Sequence, residues 1–61
     1  MKMRIEIEMD NAAFEGESGA EAARILRKIA DRIDGEACTV GDVTPCMDYN
    51  GNRVGEAKVT R

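Results

Sequence analysis

Cys38 and Cys46 are the only thiols in a 61-residue chain that has no histidine. Histidine is the side chain whose ordinary pKa lies nearest neutral pH, so its absence removes the usual general base and the commonest metal ligand. Two cysteines alone cannot close a tetrahedral zinc site unless carboxylates or a second chain complete it. A cysteine nucleophile without a histidine partner needs a helix N-terminus or a cationic neighbour, and no such placement is visible for either thiol. A secreted disulfide framework of this size usually carries four or more cysteines. These residues therefore point to reduced thiols in a cytoplasmic, non-enzymatic protein with no cofactor and no metal. An internal disulfide stays open, because strand position and loop geometry decide it.

The carboxylates are the other groups able to do chemistry. Twelve acids against nine bases leave a net charge of −3, but their placement is uneven. Glu6, Glu8, Asp10, Glu15, Glu17 and Glu21 lie between Ile5 and Ala23 with no base among them. Arg24, Arg27, Lys28 and Arg32 then cluster, and Asp31, Asp34, Glu36, Asp42 and Asp48 form a second acidic group. One explanation is an ordinary mixed-sign surface that keeps a small domain soluble. The other is an acidic face that meets a basic groove on a partner and accelerates association. Calcium is poorly matched. Glu15, Glu17 and Asp42 lack the regular oxygen spacing of a calcium loop. The run from Asp48 to Asn52 resembles the opening of an EF-hand loop, but its twelfth position is Val59 rather than glutamate. Direct nucleic-acid binding is disfavoured by the acidic balance and by an aromatic content of only Phe14 and Tyr49.

These groups need elements to position them. Met1, Met3, Ile5, Ile7 and Met9 alternate with Lys2, Arg4, Glu6, Glu8 and Asp10, which predicts a strand with one apolar and one wet face. Asp10 or Asn11 can cap a single helical turn through Ala12, Ala13 and Phe14, ended by Gly16. In a core so poor in aromatics, Phe14 is expected to serve as its lid rather than as an exposed anchor. Ser18 and Glu21 have the spacing of a capping box, and a helix from about Gly19 to Asp34 should follow. Its predicted seam is Ala22, Leu26, Ile29 and Ile33, widened by Ile25 and Ala30, with Gly35 as the residue after the last turn. Asp31, Asp34 and Glu36 stand at the negative end of the helix dipole with no local stability reason, which makes them candidates for function.

The remaining chain reads as a hairpin. A three-residue loop of Asn50, Gly51 and Asn52 predicts the pairs Met47–Gly55, Pro45–Ala57 and Val43–Val59, gathering small and apolar residues on one face. A two-residue Asn50-Gly51 turn would instead set Val43 against Lys58. Pro45 lacks an amide donor, so its strand belongs at an edge. The direction of travel then yields an α+β, two-layer β-α-β-β domain. Its three-stranded antiparallel sheet has the order 1-3-2 and packs on one long helix, with one short helical turn after strand 1. Residues 1–61 form a single domain. No apolar run is long enough for a membrane span, and the N-terminal alternation is unlike a signal peptide.

The segments MKMRIEIEMDNAAFE, GAEAARILRKIADRI and DYNGNRVGEAKV cover most of the chain. Through them it resembles small acidic proteins encoded by phages and prophages, a group that includes anti-CRISPR proteins. None of the segments is a catalytic motif. The resemblance implies an inhibitor in the host bacterial cytoplasm. Such a protein binds a host complex through that complex's basic nucleic-acid-binding surface, for example a CRISPR effector, and excludes DNA. The acids that would carry this are Glu6, Glu8, Asp10, Glu15, Glu17, Glu21, Asp31, Asp34 and Glu36. A net charge of −3 departs from a mimic charged over its whole surface, so any mimicry is confined to one face. The competing expectation is a structural or accessory phage protein. It would work by homo-oligomerisation or by docking on another phage protein, as monomer or homodimer, with strand 1 pairing with its twin.

Overall fold

The computed structural model describes residues 1–35 and 38–61. Strand β1 (Lys2–Ile7) leads through a 3-10 turn (Ala12–Phe14) to helix α1 (Ser18–Gly35), followed by strands β2 (Val43–Met47) and β3 (Arg53–Thr60). The sheet is antiparallel with the order β1-β3-β2, so the predicted α+β architecture and strand order are the observed ones. β3, the longest strand, takes the centre, and Pro45 lies on an edge strand where its missing amide costs no ladder bond. The Asn11 side chain caps the 3-10 turn by accepting from the Ala13 amide at 2.9 Å, and Gly16 leaves the turn with φ of +80°. The core comprises Ala13, Phe14, Ile25, Ile29, Cys46, Val54 and Ala57, with Phe14 closing it as expected.

The hairpin register differs from the predicted one. Observed partners are Cys46–Gly55, Thr44–Ala57 and Val43–Lys58, while Met47 faces Arg53 across a bulge that leaves Val54 as an extra residue. The loop is displaced by one residue. Asp48 N donates to Asn52 O at 2.9 Å and Gly51 N to Asp48 O at 3.0 Å, and Gly51 rather than Asn52 takes the left-handed conformation, with φ of +84°. Tyr49, Asn50 and Gly51 therefore form the loop. The consequence is a change of face: Thr44 and Cys46 point into the core, and Val43 and Met47 are exposed.

The helix seam also shifts. Glu21, Ile25 and Ile29 are buried, Ala22 and Ile33 are half-buried, and Leu26 and Ala30 are exposed. The capping box does not form. The first helical amides use the Glu17 carbonyl, and the Glu21 carboxylate turns inward to other partners. Gly35 is the last helical residue and does not adopt a positive φ. With this rotation α1 packs on β2 and the 3-10 turn, and β1 has its main packing partner in β3 alone. The helix thus leaves much of the β1 Met/Ile stripe uncovered, contrary to the expectation that it roofs that face.

Candidate functional site: the acidic loop end

The molecule is elongated, 35 × 18 × 17 Å, with helix and strands along the long axis. At one end lie the last residues of β1, the 3-10 turn, the first turn of α1 and the β2–β3 loop. That end collects Glu8, Asp10, Glu15 and Glu17, all exposed. Backbone hydrogen bonds hold Glu8, Glu15 and Glu17. Glu8 N donates to Val54 O at 2.7 Å, extending the β1–β3 ladder, and Glu15 N donates to Ala12 O at 3.2 Å. Glu15 and Glu17 flank Gly16 immediately before the helix, where the positive end of the helix dipole favours negative charge.

The bases at this end are already engaged. Arg24 binds Glu21 through Nε at 2.7 Å and Nη2 at 3.1 Å, and also donates to Met47 O at 3.1 Å. Arg53 pairs with Glu56 at 2.9 Å. Among the described residues, none of Glu8, Asp10, Glu15 and Glu17 has an ion-pair partner. Their field is directed outward, into solvent, where it can steer a basic partner.

Two other acids at this end are structural. Glu21 is only 7% exposed, and its carboxylate accepts from Arg24 and from Tyr49 N at 2.8 Å. It joins the helix to the hairpin loop and cannot be offered to a partner, which corrects its place in the predicted set. Asp48 is 4% exposed. One oxygen accepts from Asn50 N at 2.9 Å and Asn52 N at 2.8 Å, and the other accepts from the side chains of Asn11 at 2.8 Å and Asn52 at 3.2 Å. The resemblance to an EF-hand opening therefore reflects a loop whose acid is filled by N–H donors rather than by a cation. Among the described residues, no three of His, Cys, Asp and Glu converge as a metal site.

The Arg24 hydrogen bonds hold the Glu21 carboxyl below the usual carboxylate range against the upward push of burial, helped by the Tyr49 amide. Burial pushes Asp48 upward most strongly. The hydrogen bonds from Asn52, Asn11 and Asn50 together outweigh it, and its pKa also lies below the usual range. Both folded values are depressed, so both groups contribute stability above the unfolded pKa. That contribution drains away as pH falls through the folded values. The expected result is a thermal stability flat through neutral pH that collapses only below the ordinary carboxylate range. The Glu21→Gln and Asp48→Asn variants should show a shallower acid limb in melting temperature against pH.

The remaining predicted acids do not join this end. Glu6 lies on the outer sheet face opposite Glu56, in a shallow hollow with Arg4, Arg53 and Lys58. Asp31 and Asp34 are exposed at the other end of α1, on the order of 20 Å from Glu21 at 1.5 Å per residue. Asp31 there shares the rim of a groove of about 460 Å³ with Lys28 and Arg32. Glu36 lies outside the described residues. The described members of the predicted set therefore divide among the acidic loop end, the outer sheet face and the far end of α1, and do not make one continuous face.

Tyr49 was missed by sequence reasoning. It is 62% exposed on the loop at the acidic end and offers the aromatic surface that protein interfaces favour. Its position after an aspartate and before Asn-Gly was the available signal for a loop tip. Cys46 is fully buried, Cys38 is exposed and both are free thiols; burial pushes the Cys46 thiol upward and away from reactivity. Among the described residues, no helix is long and apolar enough to cross a membrane. No family model, curated protein or solved structure significantly matches the chain.

Proposed function

We propose that this chain is a non-enzymatic inhibitor of phage type. It docks its acidic loop end on the basic nucleic-acid-binding surface of a host bacterial complex and keeps DNA from that surface. One observation carries the reading: Glu8, Asp10, Glu15 and Glu17 project without ion-pair partners from an end whose arginines are already engaged. Tyr49 adds an exposed aromatic anchor beside them. The resemblance to small acidic phage proteins points to the same partner class, for example a CRISPR effector in the host cytoplasm. Opposite-charge steering is screened within about 8–10 Å at ordinary ionic strength, so binding should weaken as salt rises.

The test is affinity capture from host bacterial lysate with the wild-type chain and with Glu8, Asp10, Glu15 and Glu17 all changed to lysine. A nucleic-acid-binding complex held by the wild type, released by salt and missed by the reversed variant is the expected result. Capture of no such complex, or equal capture by both, overturns the reading. The second reading is a structural or accessory phage protein that homo-oligomerises or docks on another phage protein. It is favoured by a separate observation, the uncovered apolar face beside the free edge of β1.

A further inference from the structure

β1 is an edge strand whose inner face is open. Met3 is 39% exposed and Ile5 42%. β1 contains no proline and no bulge, two of the devices that blunt an edge, and its charges lie on the outer face alone. Its backbone phase follows from the bond from Glu8 N to Val54 O. In an antiparallel ladder hydrogen-bonded residues alternate, so Glu6, Arg4 and Lys2 turn their backbone groups toward β3. Met3, Ile5 and Ile7 turn theirs outward, to the free edge.

The outer face carries two like-charge juxtapositions, one of them eased by the Arg53–Glu56 ion pair. Across β1 and β3, Arg4 stands opposite Lys58 and Glu6 opposite Glu56. Like charges directly opposite one another destabilise a sheet.

We propose that a second copy of this chain completes the sheet, with β1 pairing antiparallel to the partner's β1 about a two-fold axis at Ile5. This rests on the oligomerising reading and names its interface. In this register Ile5 meets the partner's Ile5 and Met3 meets the partner's Ile7, all with outward backbone groups in phase. On the other face Arg4 meets the partner's Glu6, and Lys2 meets the partner's Glu8. The alternation of Lys2, Arg4, Glu6 and Glu8 is thus complementary to its own reverse, as an isologous interface requires. Each like-charge pair within one copy gains an opposite charge across the new edge. Moving the register by two residues sets Arg4 against the partner's Arg4, or Glu6 against the partner's Glu6. A one-residue slip sets the apolar face against the charged one. The dimer engages Glu6 and Glu8, leaving Asp10, Glu15 and Glu17 to carry the free charge of the acidic end.

Sedimentation equilibrium at micromolar to millimolar concentration tests the proposal. The wild type is expected at twice the 6.7 kDa chain mass. Arg4→Glu alone sets glutamate against the partner's Glu6 at two symmetric places. Glu6→Arg alone sets arginine against the partner's Arg4. Each should weaken self-association by about tenfold or more. Neither should unfold the chain, since the new residues face Lys58 and Glu56 and relieve the like-charge pairs; circular dichroism verifies this. Mixing the two variants should restore a dimer containing one of each. A monomeric wild type overturns both the interface and the homo-oligomerising reading. A dimer indifferent to the reversals, or variants that do not recombine, overturns this interface and leaves oligomerisation through another surface. All three outcomes leave the acidic-end reading to its own test.

Discussion

Gly55→Ala is expected to lower the melting temperature by roughly 10–20 °C, from an overpacking cost of about 1–3 kcal/mol and the sensitivity of a domain this small. Gly55 sits beside the β3 bulge, opposite Ile7 of β1 and Cys46 of β2. A Cβ built there would collide with the carbonyl oxygen and carbon of Glu6 and reach 3.0 Å from the Ile7 Cα. All three obstacles are backbone, so no side-chain rotation relieves them. Removing a glycine would otherwise stabilise the chain by about 0.4–1 kcal/mol through the unfolded state, which is smaller than the collision cost. A domain with a stability of about 3–5 kcal/mol has little reserve against such a loss. Gly19→Ala is the matched control. Nothing lies within 4 Å of its Cβ and its φ is ordinary, so its melting temperature should stay the same or rise. An unchanged melting temperature for Gly55→Ala would show that β1 and β3 do not approach as described.

Asp48→Ala is the second large effect, a melting temperature lower by roughly 10 °C or more, because one substitution removes a buried, charged acceptor that holds four hydrogen bonds. The amides of Asn50 and Asn52 and the side chains of Asn11 and Asn52 all lose their acceptor. The damage spreads along the chain, since Asn11 caps the turn that holds Phe14 in the core. Asp48→Asn should recover part of the loss, because its carbonyl oxygen still accepts from one side of the loop. Differential scanning calorimetry on the two variants orders them. Equal stability of Asp48→Ala and wild type would contradict the role given to this carboxylate.

Much of the architecture was legible because it depends on short-range pattern. Period-two alternation from Met1 to Met9 marked β1, Asn11 and Gly16 bracketed the 3-10 turn, and Pro45 marked an edge strand. The hairpin register was not legible, because Asp48 looks like one more surface acid in the sequence. Only the folded loop shows its carboxylate selecting Tyr49–Gly51 as the turn and displacing the pairing. Counting by twos also cannot see a bulge at Val54 that moves Thr44 and Cys46 inward. The helix seam failed for a related reason. Glu21 is buried because Arg24 and the distant Tyr49 amide satisfy it, and a contact 28 residues away leaves no mark on a helical wheel. The acids were visible as composition, but the exposed Glu8, Asp10, Glu15 and Glu17 could not be told from the structural Glu21 and Asp48, because burial and long-range hydrogen bonds make that division.

The central claim is that the acidic loop end occupies a surface that DNA would otherwise use. The most direct measurement is displacement of labelled DNA from the captured host complex by rising amounts of this chain, at low and high salt. The wild type should displace DNA, less effectively at high salt, and the variant with Glu8, Asp10, Glu15 and Glu17 changed to lysine should not displace it. DNA that stays bound at saturating wild-type protein, or equal displacement by the reversed variant, would contradict the account.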